Sequence, residues 1–302
     1  MIFRERFFIF FSGLLIFLIL ADAHSGIPEF DPKRAFAHLE KQCAFGPRHP
    51  GSEGHQRCLI YLVEEFEKSS DTVIQQPFLF SDPKNRQTHT LTNVIASFGT
   101  SPKRILLCAH WDTRPWADSD SDPKNWNEPI LGANDGASGV AVLLEIAYIL
   151  KNNPSPVGVD IVLFDGEDSG LQGQNETWCQ GSRFFARSRQ LTHLPMYGIL
   201  LDFVGDKDLH FPVEVNSRCF ATEIVDRVWG KALELGLPAF DLSPGYEMID
   251  DHLELLKVGI PAIDIIDFDY PYYHTLEDTE DKCSPESLGI VGTLLLHLIY
   301  EK

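Results

Sequence analysis

The sequence predicts an α/β fold: a single domain around a central, mostly parallel mixed sheet with helices on both faces. Two observations lead there. Short apolar runs recur at 104–109, 159–163 and 197–201, and each reads as a buried strand. Between them lie stretches with apolar residues at helical spacing. Strands alternating with helices imply a largely parallel sheet covered on both sides. A third observation concerns chemistry. Acids and imidazoles close these runs, where open α/β sheets carry their sites.

The elements follow in order. Residues 1–23 read as a targeting segment. Arg4, Glu5 and Arg6 precede an apolar run at 7–20, and Ala21-Asp22-Ala23 offers a small-x-small cleavage site. The run is short for a membrane span, so a secretory signal peptide is expected, with an uncleaved anchor as the alternative. The protein is then exported, periplasmic or secreted, with no stable membrane span after cleavage. Its catalytic domain is expected over residues 24–302. Spacing predicts a helix over 31–41, a turn-rich loop over 46–55, and a second helix with Cys58, Leu59, Leu62, Val63 and Phe66 on one face. Strands are expected at 72–80 and 91–98, then a first core strand at 104–110. A long polar loop over 114–131 carries Trp116 and Trp126. A helix over 136–151 leads to a strand at 160–164. A second long loop over 171–181 holds Trp178, and a helix begins at 182–188. A strand at 197–203 and a helix over 222–235, stopped by Gly236 and Pro238, come next. A short helix at 251–257, a strand at 262–267 and a helix over 285–300 complete the chain. Long loops after strand ends usually shape pockets.

The formal net charge is −19. No basic stripe is present, which argues against nucleic acid as a partner, and the acidity reads as a solubility feature. Six cysteines at irregular positions form no CxxC pair and no zinc-finger spacing. An oxidising compartment would allow some of them to pair. Cys108, inside an apolar strand, reads as a buried thiol.

The chemistry concentrates in Phe164-Asp165-Gly166-Glu167-Asp168-Ser169-Gly170. Neighbouring side chains on an extended backbone point apart, so one carboxylate can bind a metal while the other faces substrate. His110-Trp111-Asp112, Asn134-Asp135-Gly136 and Tyr273-His274-Thr275 supply further ligands. Catalytic zinc sites use about three protein ligands and keep one position open. Asp135, Asp168 and His274 make such a set, and Glu167 is left free as general base and acid. Asp202 closes a strand with no cation near it in sequence; a cap or turn role is its alternative. Asp251 reads as the N-cap of the short helix, which leaves Asp250 as the functional candidate of that pair.

Taken together, the order of these motifs resembles the zinc aminopeptidases that use a co-catalytic metal pair, and the glutaminyl cyclases that share their fold. The resemblance runs from about residue 34 to the C-terminus. It rests on His110 with Asp112, Asp135, Glu167 with Asp168, Asp202 and His274. Three stretches are more similar to the cyclases. They are His110 through Asp118, the Glu167-Asp168-Ser169-Gly170 motif with Thr177 through Arg183, and Ile249 through Leu253 followed by Gly259-Ile260-Pro261. One departure is Tyr273, where the animal cyclases carry Trp; a tyrosine can still supply a flat wall. The resemblance implies one zinc ion on Asp135, Asp168 and His274, with Glu167 moving protons and Asp202 and Asp250 holding the amine and the leaving nitrogen. Its substrates would be peptide or protein N-termini beginning with Gln, closed to pyroglutamate with release of ammonia. The alternative is an aminopeptidase with two zinc ions and Glu167 as base. Residue types leave open whether His110 and Asp202 are bridged by a second metal or by hydrogen bonds.

Overall fold

The structure is a computed structural model that describes residues 26–188 and 193–301. The expected signal segment lies outside the described residues. No described helix is long and apolar enough to cross a membrane.

Helix α1 (Pro32–Cys43) starts at Asp31, whose carboxylate accepts the N–H groups of Lys33 and Arg34. A side-chain acceptor at the N-cap and a proline in the first turn set this start. Ser52 caps α2 (Glu53–Ser69) in the same way. Then follow β1 (Thr72–Ser81), β2 (Thr88–Phe98), β3 (Arg104–His110), α3 (Ala137–Asn152), β4 (Gly158–Phe164), α4 (Gln180–Ser188) and β5 (Tyr197–Asp202). The last third holds β6 (Phe211–Val213), α5 (Val215–Phe220), α6 (Thr222–Glu234), β7 (Phe240–Pro244), α7 (Asp251–Lys257), β8 (Ala262–Ile266) and α8 (Pro285–Tyr300).

The main sheet has the order β1-β2-β4-β3-β5-β8. Strands β4, β3, β5 and β8 are parallel, while β1 and β2 add antiparallel pairs. The sheet is therefore mixed with a parallel core, as expected. Period-two alternation assigns the faces. Ile105, Leu107, Ala109, Ile161, Leu163, Ile199, Leu201, Ile263 and Ile265 join a core with α1, α2, α3, α6 and α8. Leu106, Cys108, Val162, Phe164, Leu200 and Ala262 face α4 and α7 through Phe185 and Leu255. Cys108 is buried as expected, and all six cysteines are unpaired thiols.

Three elements escape the sequence reading. Strands β6 and β7 form a small parallel sheet beside α5. Each is too short for a hydrophobic period to register. Two expectations need correction. Asp250, not Asp251, caps α7: its Oδ1 accepts the Asp251 N–H at 2.5 Å, and Asp251 is the first helical residue. The 114–131 loop is polar in sequence, yet Arg114, Trp116, Ala117 and Ile130 are buried. It folds back over the sheet edge, where Ser119 N–H bonds the His274 carbonyl and Asp120 accepts from Leu276 N–H.

Candidate active site

Acids and imidazoles gather at the carboxyl edge of the parallel strands. His110 closes β3, Asp202 closes β5, and Glu167 and Asp168 follow β4 after a turn at Gly166. Asp135 lies two residues before α3, His274 lies on the loop beyond β8, and Asp250 caps α7. This is the edge where α/β sheets bind ligands. Gly136 has φ +92°, and a Cβ there would stand 2.7 Å from the Asp112 carbonyl and 3.0 Å from the His110 ring. Only glycine lets Asp135 approach His110 this closely.

Two donor groups share Asp135. In the first, Asp135, Asp168 and His274 offer ligand atoms within 4.8 Å of one another. His274 Nε2 stands 3.2 Å from Asp168 Oδ1 and 3.6 Å from Asp135 Oδ2. In the second, His110 Nε2 stands 3.2 Å from Asp135 Oδ1 and 3.3 Å from Asp202 Oδ1. Asp135 Oδ2 and Asp168 Oδ2 are buried and receive no hydrogen bond. Buried carboxylate oxygens without a hydrogen bond, beside an imidazole, fit a divalent cation with the oxygen and nitrogen preferences of zinc.

The surroundings hold these side chains in place. Asp278 accepts the backbone N–H of Asn134 at 2.9 Å and of Asp135 at 3.1 Å, and also the Tyr270 hydroxyl. Asp112 accepts the N–H groups of Glu167 at 3.1 Å and Asp168 at 3.3 Å. Arg114 is fully buried. It donates to the Asp168 carbonyl and Oδ1 and, through Nε, to Asp118 at 2.7 Å. Asp118 stands 3.5 Å from His274 Nδ1. A carboxylate on the far side of an imidazole orients the ring.

Glu167 and Asp168 point apart, although the backbone there is bent rather than extended. Asp168 faces His274 and Arg114. Glu167 meets the Cys179 thiol, which donates to Oε1 at 3.4 Å, and shares a pocket with Asp250. Burial and the nearby Asp250 hold the Glu167 pKa well above its usual range. Burial raises Asp168 too, but His274 and Arg114 outweigh it and the net shift is downward. Burial brings Asp202 up to about 7, against the pull of His110. Adjacent carboxyls with opposite shifts separate an ion-binding role from a proton-carrying role.

Cys179, Phe203 and His274 adopt left-handed backbones, with φ of 57°, 49° and 52°. Such strain in non-glycine residues clusters at functional sites. Aromatic rings wall the His274 side. Tyr273 stacks on His274 with centroids 3.6 Å apart, and half-buried Trp178 lies parallel to it at 6.1 Å. A Cβ on Gly170 would fall 2.2 Å from the Trp178 ring. Trp116, by contrast, packs between Lys84 and Arg114.

The structure thus brings together Asp135, Asp168, His274, His110, Asp202, Glu167 and Asp250. Sequence reasoning gave no role to Arg114, Asp118 and Asp278, nor to Asp264, which is fully buried in β8. Asp264 had a signal, since an acid inside the apolar run of β8 is rare unless it has a purpose.

The model of peptidase family M28 matches residues 93–299. The crystal structure of Bacteroides thetaiotaomicron glutaminyl cyclase bound to N-acetylhistamine superimposes with a TM-score of 0.88 at 37% identity. It covers 92% of this chain and 100% of that one. A Zn-dependent exopeptidase from Parabacteroides distasonis matches with a TM-score of 0.88 at 36% identity, over 92% and 100% of the two chains. The glutaminyl-peptide cyclotransferase of Boiga irregularis is 25% identical over 294 residues, covering 84% of this chain and 77% of that protein. On this evidence of fold, site and sequence, the chain belongs to peptidase family M28.

Proposed function

We propose that the protein is a zinc-dependent glutaminyl-peptide cyclotransferase, acting on peptides or proteins with N-terminal Gln. The observation that carries this reading is the carboxyl group set Glu167, Asp250 and Asp202 beside a separate metal-donor triad. A cyclase must hold both an amine and a departing nitrogen, so it needs several proton acceptors. The full-length likeness to glutaminyl cyclases supports the same reading.

Asp135, Asp168 and His274 would hold one zinc ion, which supplies Lewis acidity toward the γ-carboxamide oxygen. Glu167 takes a proton from the α-ammonium. The freed amine attacks the side-chain amide carbon, and the new C–N bond closes the ring. Glu167 then returns its proton to the amide nitrogen, that C–N bond breaks, and the ring nitrogen gives its second proton to the departing ammonia, which leaves as ammonium. Asp202 and Asp250 accept hydrogen bonds from the amine and the leaving nitrogen. Trp178 and Tyr273 flank the Gln side chain. The attack is intramolecular, so holding the geometry supplies much of the rate. Export, periplasmic or secreted, is part of the proposal, on the strength of residues 1–23.

A two-zinc aminopeptidase is the second reading, and the donor group His110, Asp135 and Asp202 favours it. One incubation separates them. A Gln-Ala peptide should become lighter by one ammonia with its chain intact. Release of free Gln, or cleavage of a Leu-peptide without pyroglutamyl product, would overturn the cyclase reading. A count of bound zinc per chain decides between one ion and two.

A further inference from the structure

A line of buried side chains runs from α5 to Asp250, outside both donor groups. Alternation along β8 puts Asp264 on the sheet face that meets α7. Asp264 is fully buried, and neither carboxyl oxygen has a hydrogen-bond donor. Its N–H bonds Ser217 Oγ at 3.0 Å, which ties β8 to α5. His252, on the first turn of α7, is fully buried too. Its Nδ1 stands 3.8 Å from Asp264 Oδ2 and its Nε2 3.3 Å from Glu214 Oε2, near enough to pair by charge, though neither ring nitrogen makes a hydrogen bond.

Glu214 is the fixed end of the line. It caps α5, accepting from Asn216 N–H at 2.9 Å and Ser217 N–H at 2.5 Å, and it also accepts Met248 N–H at 3.0 Å. Burial opposes its charge, but His252 and these donors prevail and bring its pKa down to about 2. The Met248 bond also grips the loop that delivers Asp250. At the other end, Asp250 Oδ1 is committed to the α7 cap, while its buried Oδ2 has no donor. Ligand atoms of Asp250, His252 and Asp264 lie within 4.8 Å of one another. Asp264 has no donor and Asp250 has none at Oδ2, so burial this close together disfavours ionising both.

We infer that His252 is a positioning residue for Asp250: anchored on Glu214, its imidazole fixes the Asp264 carboxyl, and Asp264 fixes the free oxygen of Asp250. A buried line of polar and acidic side chains is a poor source of stability by itself. Its value here is to hold an acid that works on substrate. The role given to Asp250 rests on the cyclase reading above.

The test compares three substitutions in the full, zinc-loaded protein. His252→Asn keeps an N–H near the Nδ1 position, facing Asp264. His252→Gln keeps one near Nε2, facing Glu214. His252→Leu keeps neither. For each, kcat and KM on Gln-Ala peptide, Tm and bound zinc are measured. All three should lose Tm and retain zinc. His252→Leu and His252→Gln should lose about tenfold or more in kcat with little change in KM, the scale of a misplaced group, and His252→Asn should recover most of it. If kcat follows Tm across the series, the role is merely structural and the inference fails. Should the His252 variants not fold, Asp264→Asn offers Asp250 a permanent N–H donor and should keep kcat, whereas Asp264→Leu should lose it; equal rates overturn the inference. If the wild type cleaves peptides and makes no pyroglutamyl product, the cyclase reading falls. The same ranking is then read on hydrolysis, and His252→Asn no better than His252→Leu overturns the positioning role.

Discussion

The two sides of the site differ in how they treat negative charge. On the metal-donor side each carboxylate faces a cation or an imidazole. Asp168 lies against His274 and Arg114, Asp118 against Arg114 and His274, and Asp135 against His110 and His274. On the acid side carboxyls crowd one another, Glu167 with Asp250 and Asp250 with Asp264, and the imidazoles there are His110 beside Asp202 and His252 beside Asp264. Burial and Asp250 raise Glu167 well above its usual range, and burial with Asp250 does the same for Asp251 and Asp264. Pairing favours the ionised form at Asp118 and Asp168, which are shifted downward, while burial and the nearby Asp168 shift Asp135 upward. A carboxyl shifted upward holds an accepted proton more firmly and can then hand it on. One residue step, from Glu167 to Asp168, crosses this boundary.

The strongest way to break the comparison is to remove a donor. Asp135→Ala or His274→Ala should lose tightly bound zinc and abolish activity, because an open three-ligand site cannot spare one. Metal analysis after dialysis checks this. Stoichiometric zinc retained by both variants would mean the two sides have been wrongly divided. Glu167→Gln should behave oppositely. It should keep zinc and lose at least about a hundredfold in turnover, the scale of a positioned proton carrier. Near-normal turnover would pass the role to Asp202 or Asp250, and zinc loss would make Glu167 a ligand.

A smaller effect is expected one layer behind the metal. Asp278 is buried and accepts the N–H groups of Asn134 and Asp135. Burial and the nearby Asp135 bring its pKa up to about 7. Asp278→Asn presents an N–H to donors that need an acceptor, so the Asp135 loop should loosen. Zinc affinity should fall about 10- to 100-fold, as for other residues that orient ligands. A chelator competition at fixed pH measures it, and an unchanged affinity would confine Asp278 to a structural part.

The layout of the sheet and the motifs at its edge were legible because both depend on local pattern. Apolar runs of strand length end in His110, Glu167 with Asp168, and Asp202, and the chain order alone pairs them with the sheet edge. What supports them was not legible. Arg114 and Asp118 are ordinary loop residues until the loop folds over His274. Asp278 reads as part of a turn, and its two backbone donors lie over a hundred residues away. The Asp250–Asp251 pair misled because both positions can cap a helix, and only the backbone shows which one does. The small sheet of β6 and β7 is set by tertiary packing of Phe211 and Phe240 against Trp229, which leaves no periodic trace.

The gentlest probe sharpens the acid side. Cys179 sits at φ 57° with its thiol on Glu167 Oε1 at 3.4 Å, and it is almost fully buried. A residue with a Cβ in this conformation carries about 1 kcal/mol of strain that glycine does not. Cys179→Ala removes the donor and keeps the strain, whereas Cys179→Gly removes both. A weak neutral hydrogen bond contributes roughly 0.5–1.5 kcal/mol, so both variants should lose about two- to tenfold in kcat with zinc unchanged. They should differ in stability. Relief of strain favours the glycine variant, while its more flexible unfolded chain offsets part of that gain. The measured pair is the Tm difference between the two variants and their common kcat. If kcat is untouched in both, the thiol contributes nothing to holding Glu167, and Asp250 alone sets its behaviour. If zinc is lost with either, the two sides of the site are mechanically joined, and the division drawn between Glu167 and Asp168 does not hold.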